Sequence, residues 1–279
     1  MKPSALIVVV GLFAGGWRSP AAAVERARAA PVLSAKAKPL PAGALEKLSD
    51  QLRGDSDDAA VAAAKQLGES GSAPAVEALV AMLAAGTTPA RAQAALDGLS
   101  PWGSAKTFDV LSLYTGHRNN ALRVRAVKAL AVVPDRRVTA VLMERLGDGA
   151  AAVRAAAADG LAARHDRQAT GRLLMLVKRN DSGAAGPLGV LATPDLIPQV
   201  AELQGGVDDG VLATTLGEYI KRDDVADKLR VEVVRTIGKL QGASATTALV
   251  EYLAVVPPKD DRPSRREAQK LLDERGGTK

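Results

Sequence analysis

The chain has 279 residues, of which 47% are hydrophobic, 24% are charged and only 3% are aromatic. The core must therefore consist mainly of aliphatic side chains, and the abundance of alanine favours helices over sheets. The sequence contains no cysteine, which excludes disulfides, thiolate metal ligands and a cysteine nucleophile.

Residues 1–23 have the form of a secretory signal peptide. Lys2 supplies a positive charge, Ala5 to Ala14 form a short apolar run, and Ala21 to Ala23 offer the small residues of a cleavage site. The apolar run is half as long as the roughly 20 residues that span a bilayer. We therefore expect cleavage after Ala23, a periplasmic or secreted protein, and no stable membrane span in the mature chain.

The charge that remains after cleavage is small. Loss of Lys2 and Arg18 takes 37 basic residues to 35, against 31 acidic residues, which leaves a net charge of +4. A nucleic-acid binder concentrates positive charge in a stripe or patch, so we expect no nucleic-acid partner. Residues 24–42 are rich in Ala, Pro, Lys and Arg and are predicted to be a disordered linker.

A repeat of 31 to 32 residues begins after a leading helix that carries Leu45, Leu48 and Leu52. Each repeat is predicted to contain a helix A, a tight turn and a helix B. Three columns recur at intervals of 32, 31 and 31 residues: Leu67, Leu99, Leu130 and Leu161 close helix A; Ser72, Ser104, Asp135 and Asp166 cap helix B; and Leu79, Leu111, Leu142 and Leu173 lie within helix B. One helix pair cannot bury its apolar faces alone, so the units must stack into an all-α solenoid.

The fifth unit is less regular. Leu191 closes its helix A, and residues 196–203 form its helix B after a Pro194-Asp195 turn. Three glycines and Pro187 fall at 183–189 within helix A, where they predict a distortion and a weak point in the stack.

The last helices are predicted in the following order. Residues 208–221 form a helix of uncertain role, residues 229–237 form a helix A and residues 246–255 form a helix B. A final helix has Ser264 as its N-cap, Glu267 in a capping box and Gly276 just beyond its end.

The pattern over residues 43–275 resembles the short HEAT-like repeats that are also found in phycobilisome lyases. The residues that carry the resemblance are the pairs Leu122-Arg123, Val153-Arg154 and Leu229-Arg230, the acids Asp148 and Asp227, and the alanine-rich run that ends in leucine. The resemblance implies a right-handed α-α solenoid over residues 43–279, in which Arg123, Arg154, Arg230, Asp148 and Asp227 brace one unit against the next.

No residues suggest catalysis or a metal site. His117 and His165 are 48 residues apart in predicted turns and form no HxxxH pair. Asp166, beside His165, is already explained as a helix cap. Gly183, Gly186 and Gly189 do not match a nucleotide-binding fingerprint. We therefore expect no cofactor, and the only enzymatic alternative is a bilin lyase, which the resemblance brings with it.

The sequence therefore favours a non-enzymatic scaffold that binds a protein or peptide on a concave face lined by B helices. The candidate partner residues lie in B helices, outside the predicted core register: Met82, Leu113, Tyr114, Glu144, Arg145, Met175 and Leu176. The alternative for these residues is a wide apolar stripe that only packs neighbouring units. Tyr114 is the predicted anchor, because an aromatic residue is rare in this chain and the position is predicted to be exposed.

Overall fold

The computed structural model describes residues 37–276. The predicted signal peptide (1–23), most of the predicted linker (24–42) and residues 277–279 lie outside the described residues. Residues 37–42 carry no helix, and Lys38 Nζ lies 3.1 Å from the carboxylate of Glu69.

Fifteen α-helices and no β-strand form within residues 37–276, as the all-α prediction requires. The helices are α1 (Ala44–Arg53), α2 (Asp57–Ser70), α3 (Ala73–Ala85), α4 (Pro89–Leu99), α5 (Phe108–Tyr114), α6 (Asn120–Ala131), α7 (Val138–Arg145), α8 (Ala151–Ala163), α9 (Thr170–Val177), α10 (Ala185–Leu191), α11 (Ile197–Ala201), α12 (Asp209–Ile220), α13 (Asp227–Lys239), α14 (Ala243–Val255) and α15 (Pro263–Gly276). Short 3-10 turns at Ala105–Thr107, Arg167–Ala169 and Ser182–Ala184 precede α5, α9 and α10.

The helices form two layers. The A layer is the row α2, α4, α6, α8, α10, α12 and α14, in which each helix packs directly against the next. The B layer contains α1 and the second helix of each pair, which are α3, α5, α7, α9, α11, α13 and α15. The solenoid predicted from the 31-residue repeat is confirmed, and the leading helix is α1, with Leu48 and Leu52 buried.

Small residues bring the A helices close together. A Cβ on Gly68 would lie 2.5 Å from Gly98 Cα, and a Cβ on Gly217 would lie 2.8 Å from the Ala248 methyl. The B helices α3, α5, α7 and α9 have few close backbone contacts with one another, because larger side chains separate them. A stack is expected to bend toward its more closely spaced layer, so we expect the A layer on the inner side of the curve and call its solvent side the inner face. That B helices line the concave face stays a prediction, although the spacing of α2 to α9 argues against it.

The predicted capping column is confirmed in its turns. Asp135 accepts the N–H of Arg137 at 2.8 Å, and Ser104 and Asp166 accept the N–H groups of Lys106 and Gln168 at 3.3 Å. Ser72 is the N-cap of α3 but accepts no helix N–H. After the other three caps a turn intervenes, so α5, α7 and α9 begin later than predicted.

The predicted assignment of the last helices to A and B positions is wrong, because it is shifted by one helix. Residues 208–221 are not an extra element, because α12 lies in the A layer between α10 and α14. Helix α13 packs against α15 in the B layer, so residues 229–237 belong to a helix B and residues 246–255 to a helix A. The prediction took the Leu229-Arg230 pair as the mark of a helix A. The Arg230 guanidinium instead donates to the carbonyls of Ile220 and Arg222 at the end of α12.

The predicted end of the chain is also corrected. Ser264 is not an N-cap, because α15 begins at Pro263 and Ser264 lies buried in its first turn. Its hydroxyl contacts Asp227 and the Tyr252 hydroxyl instead. Glu267 pairs with Arg235 at 3.0 Å rather than closing a capping box, and Gly276 is the last residue of the helix.

Candidate binding surface

Two kinds of brace hold neighbouring units in register and so fix the surfaces that they expose. The Arg123 guanidinium donates two hydrogen bonds, of 2.8 and 2.9 Å, to Asp148 in the turn before the next A helix, and Arg154 donates at 2.6 Å to Asp181. This confirms the predicted bracing role of Arg123, Arg154 and Asp148. Burial alone would raise the pKa of Asp148, but hydrogen bonds from Arg123 and the Ala150 N–H hold that pKa below its usual value.

The second kind of brace was missed in the sequence. Side chains near the end of one helix donate to carbonyls at the end of the preceding helix in the same layer. Trp102 Nε1 reaches Gly68 O at 2.7 Å, Arg164 reaches Val133 O at 2.9 Å, and Arg275 reaches Leu240 O at 2.6 Å. Trp102 and Arg164 each stand three residues after a closing leucine, so their shared column was visible in the repeat, but its role was not.

Tyr114, the predicted anchor, is part of the core. Only 7% of its surface is exposed, and its hydroxyl donates to the carbonyl of Leu83 at 3.2 Å, at the end of the preceding B helix. Its ring stacks on His117, with centroids 5.7 Å apart. Burial raises the pKa of Tyr114. The prediction that this position is exposed is therefore wrong, and Tyr114 is a brace between units.

The other members of the Tyr114 column are also turned toward neighbouring units. Arg145 Nη1 donates to Thr115 O at 3.2 Å, one unit back. Met82 and Leu176 are half-buried and pack against the core. The column of Met82, Tyr114, Arg145 and Leu176 therefore has the packing role that was the alternative in the sequence.

The adjacent column is exposed. Leu113 and Met175 have 70% and 55% of their surfaces in solvent, and the side chain of Glu144 between them is 69% exposed. Ala81 is the fourth member and is also exposed. The structure thus divides the seven predicted residues into two groups, and only Leu113, Glu144 and Met175 are available to a partner.

The solvent side of the A layer has a different character. One column alternates in charge along four successive A helices: Lys65, Asp97, Lys128 and Asp159, all exposed. Asp97 also pairs with Arg125 at 3.1 Å. Opposite charges on neighbouring helices offset each other, so this inner face has no single sign of charge.

A groove of about 270 Å³ lies on the inner face between α12 and α14. Its polar lining residues are Thr214, Glu218, Ser244, Thr247 and Glu251. Lys221 Nζ lies 2.6 Å from Glu218 and 3.0 Å from Glu251. Burial alone would lower the pKa of Lys221, but these two hydrogen bonds raise it.

The histidines serve local structure. His117 Nδ1 accepts the N–H of Asn119 at 3.0 Å, and His165 adopts a positive φ of 52° in the turn before α9. Within residues 37–276 there is no cluster of His, Cys, Asp and Glu side chains that could hold a metal ion. None of the described helices combines the length and the apolar character needed to cross a membrane.

A family model described as HEAT repeats matches residues 107–185. Over these residues the chain is similar to HEAT repeats. This stretch contains units with the strictest repeat, from the turn before α5 to the start of α10. The HEAT-like assignment that the sequence suggested is confirmed.

Several solved structures are similar to this chain at low identity. One is a chain of the complex of CpcE and CpcF of phycocyanin lyase from Nostoc sp. PCC7120, with 18% identity, a TM-score of 0.47, and coverage of 88% of this chain and 99% of that one. Two engineered proteins have TM-scores of 0.38 and 0.31, with 18% and 21% identity; each alignment covers 82% of this chain, and 95% and 97% of theirs. None of the curated proteins matches the chain.

Proposed function

We propose that this HEAT-repeat protein is a non-enzymatic scaffold, exported from the cytoplasm, that binds a protein or peptide on the solvent face of its B layer. The observation that carries the proposal is the exposure of Leu113 and Met175 in one repeat column. Neither side chain is buried in a neighbouring unit, so the fold does not require an apolar residue at either position.

The contrast with the adjacent column supports this interpretation. Tyr114 and Arg145 each donate a hydrogen bond to the preceding unit, and this packing role accounts for the residue type at each position. The packing of the units does not account in this way for a leucine at position 113 or a methionine at position 175. Leucine and methionine supply contact area at protein interfaces, and methionine adapts its shape to different partners.

A pull-down from an envelope extract tests the proposal. Immobilised protein without residues 1–23 should retain a partner that the double variant Leu113→Ser, Met175→Ser loses. Because both positions are exposed, the variant should melt at the same temperature as the wild type, which separates lost binding from lost folding. If both proteins retain the same set of proteins in equal amounts, this face is not the binding surface.

A further inference from the structure

The solvent face of α5, α7 and α9 carries unpaired positive charge. This outer face comprises those helices and their flanking turns, residues 104–118, 135–149 and 166–180. Each acidic residue in these segments has an ion pair or hydrogen bond to its carboxylate: Asp109, Asp135, Glu144, Asp148 and Asp166. The three segments hold nine Lys and Arg residues against these five acidic residues, so the outer face has an excess of positive charge.

Four exposed cations of the outer face have no such partner. The side chains of Arg118, Arg136, Lys178 and Arg179 are exposed and make no ion pair or hydrogen bond within residues 37–276, although the charge of Arg136 acts, after that of Arg137, on the carboxyl of Asp135. Three of them stand in turns that follow B helices, at one edge of the face: Arg118 after α5, and Lys178 and Arg179 after α9. The charge is thus concentrated at the ends of the two helices that carry Leu113 and Met175.

Small residues on the outer face leave its exposed cations and its exposed apolar side chains accessible. Gly116, Ala140, Gly147 and Gly171 occupy exposed positions between and beside Leu113 and Met175, so little side chain rises there. Helices α5 and α9 are separated by α7, which places Leu113 and Met175 roughly 20 Å apart at the usual 8–10 Å between packed helices.

From these features we infer that the outer face binds an acidic segment of a partner protein, with carboxylates against Arg118, Lys178 and Arg179 and apolar side chains against Leu113 and Met175. The inference rests on the proposed function and adds the chemical class of the partner. Charge complementarity carries it, because cations without partners attract carboxylates and suppress the binding of basic partners.

The position of Glu144 favours a peptide over an anionic membrane. Its carboxylate pairs with Arg145 but is itself 69% exposed between Leu113 and Met175, whereas Arg145 is only 19% exposed, so a sheet of anionic headgroups would meet the carboxylate first. A peptide can place a neutral or basic side chain opposite one carboxylate and acidic side chains opposite the rim.

Selection from a random library of peptides about 14 residues long, enough for a helix of about 20 Å, tests the inference on the full protein without residues 1–23. The selected peptides should be enriched in Asp and Glu, and should bind at least about tenfold more weakly to Lys178→Glu, Arg179→Glu. Their affinity should also fall as salt rises from about 0.05 to 0.5 M. The matched control, Lys65→Glu, Lys128→Glu, makes the same charge change on the inner face and should bind as the wild type does.

Each other outcome overturns the inference in a different way. Neutral or basic peptides that the Leu113→Ser, Met175→Ser variant loses would leave the proposed function standing and refute the acidic partner. Acidic peptides lost only with the inner-face control would place acidic binding on the A layer. Binding to vesicles of phosphatidylserine and phosphatidylcholine, without acidic peptides, would assign the charge to a membrane. The absence of any selected peptide would count against both proposals.

Discussion

Tyr114 shows how a residue can be misread from one helix alone. It lies outside the core register predicted for its helix, yet its hydroxyl meets the carbonyl of Leu83, 31 residues earlier. A contact between helices in the same layer depends on their spacing, which the pattern of a single helix does not contain. The neighbouring Leu113 was correctly predicted to lie outside the core, because its side chain is exposed to solvent.

Removing parts of Tyr114 should therefore destabilise the stack. Tyr114→Phe loses one hydrogen bond and should lower the free energy of unfolding by about 0.5–1.5 kcal/mol, and Tyr114→Ala should lower it by about 3 kcal/mol or more. Leu113→Ala, the exposed neighbour, should change it by less than about 0.5 kcal/mol. Urea unfolding measures all three, and equal effects at positions 113 and 114 would contradict the burial of Tyr114.

The Arg123–Asp148 brace should give a stability that depends on pH. Only 6% of the Asp148 side chain is exposed, so Arg123→Ala leaves a buried carboxylate without its cation and should cost about 3 kcal/mol near neutral pH. The lowered pKa of Asp148 means that its contribution is complete above about pH 4 and is lost as pH falls through the folded-state pKa.

The difference between wild type and Arg123→Ala should therefore shrink below about pH 4. Arg125→Ala removes a more exposed pair with Asp97 and should cost less than about 1 kcal/mol. Thermal unfolding of the three proteins across this pH range is the measurement. A difference that stays constant down to about pH 2 would show that the carboxylate of Asp148 does not carry the effect.

Helix α10 is the element where the predicted distortion is present. A 3-10 turn precedes it, and the helix has only seven residues. Pro187 is less costly than predicted, because it lies in the first turn, where its missing N–H has no helical partner to lose. Hydrogen exchange should still be faster in residues 182–191 than in α8 and α12. Equal protection of all three helices would contradict a weak point here.

Two glycines of α10 give a matched test of close helix packing. A Cβ on Gly189 would lie 2.2 Å from the carbonyl oxygen of Thr215 in α12, whereas a Cβ on Gly186 would have no atom nearer than 3.8 Å. Gly189→Ala should therefore destabilise the protein by about 1–3 kcal/mol. Gly186→Ala should be neutral or stabilise it by up to about 1 kcal/mol. If both variants have the same stability, α10 and α12 are not in close contact.

At the scale of the molecule, the sequence predicted the stack but not the roles of its two layers. Leu67, Leu99, Leu130 and Leu161 report the period directly, because each must be buried in its own unit. Which layer lies inside the curve depends on pairs such as Gly68 and Gly98, which meet across two helices. The same limit explains the exchange of A and B helices beyond residue 208, where Leu229-Arg230 imitated an A helix and the small residues of α12 were the better signal.

Export is the part of the proposed function that rests on the sequence alone. Lys2, the run from Ala5 to Ala14 and the alanines before Val24 predict removal of the first 23 residues. N-terminal sequencing of the protein from the envelope fraction should begin near Val24. A chain in the cytoplasm that still begins at Met1 would refute export and leave the fold and its surfaces unchanged.

Photo-crosslinking tests most directly whether the exposed column of the B layer is the binding surface. A photoreactive amino acid would replace Met175 in one protein and, in a matched control, Asp97 on the inner face. Illumination in an envelope extract should join a partner to position 175 and not to position 97, with position 113 giving the same partner as position 175. Adducts from position 97 alone would place binding on the A layer and contradict the account.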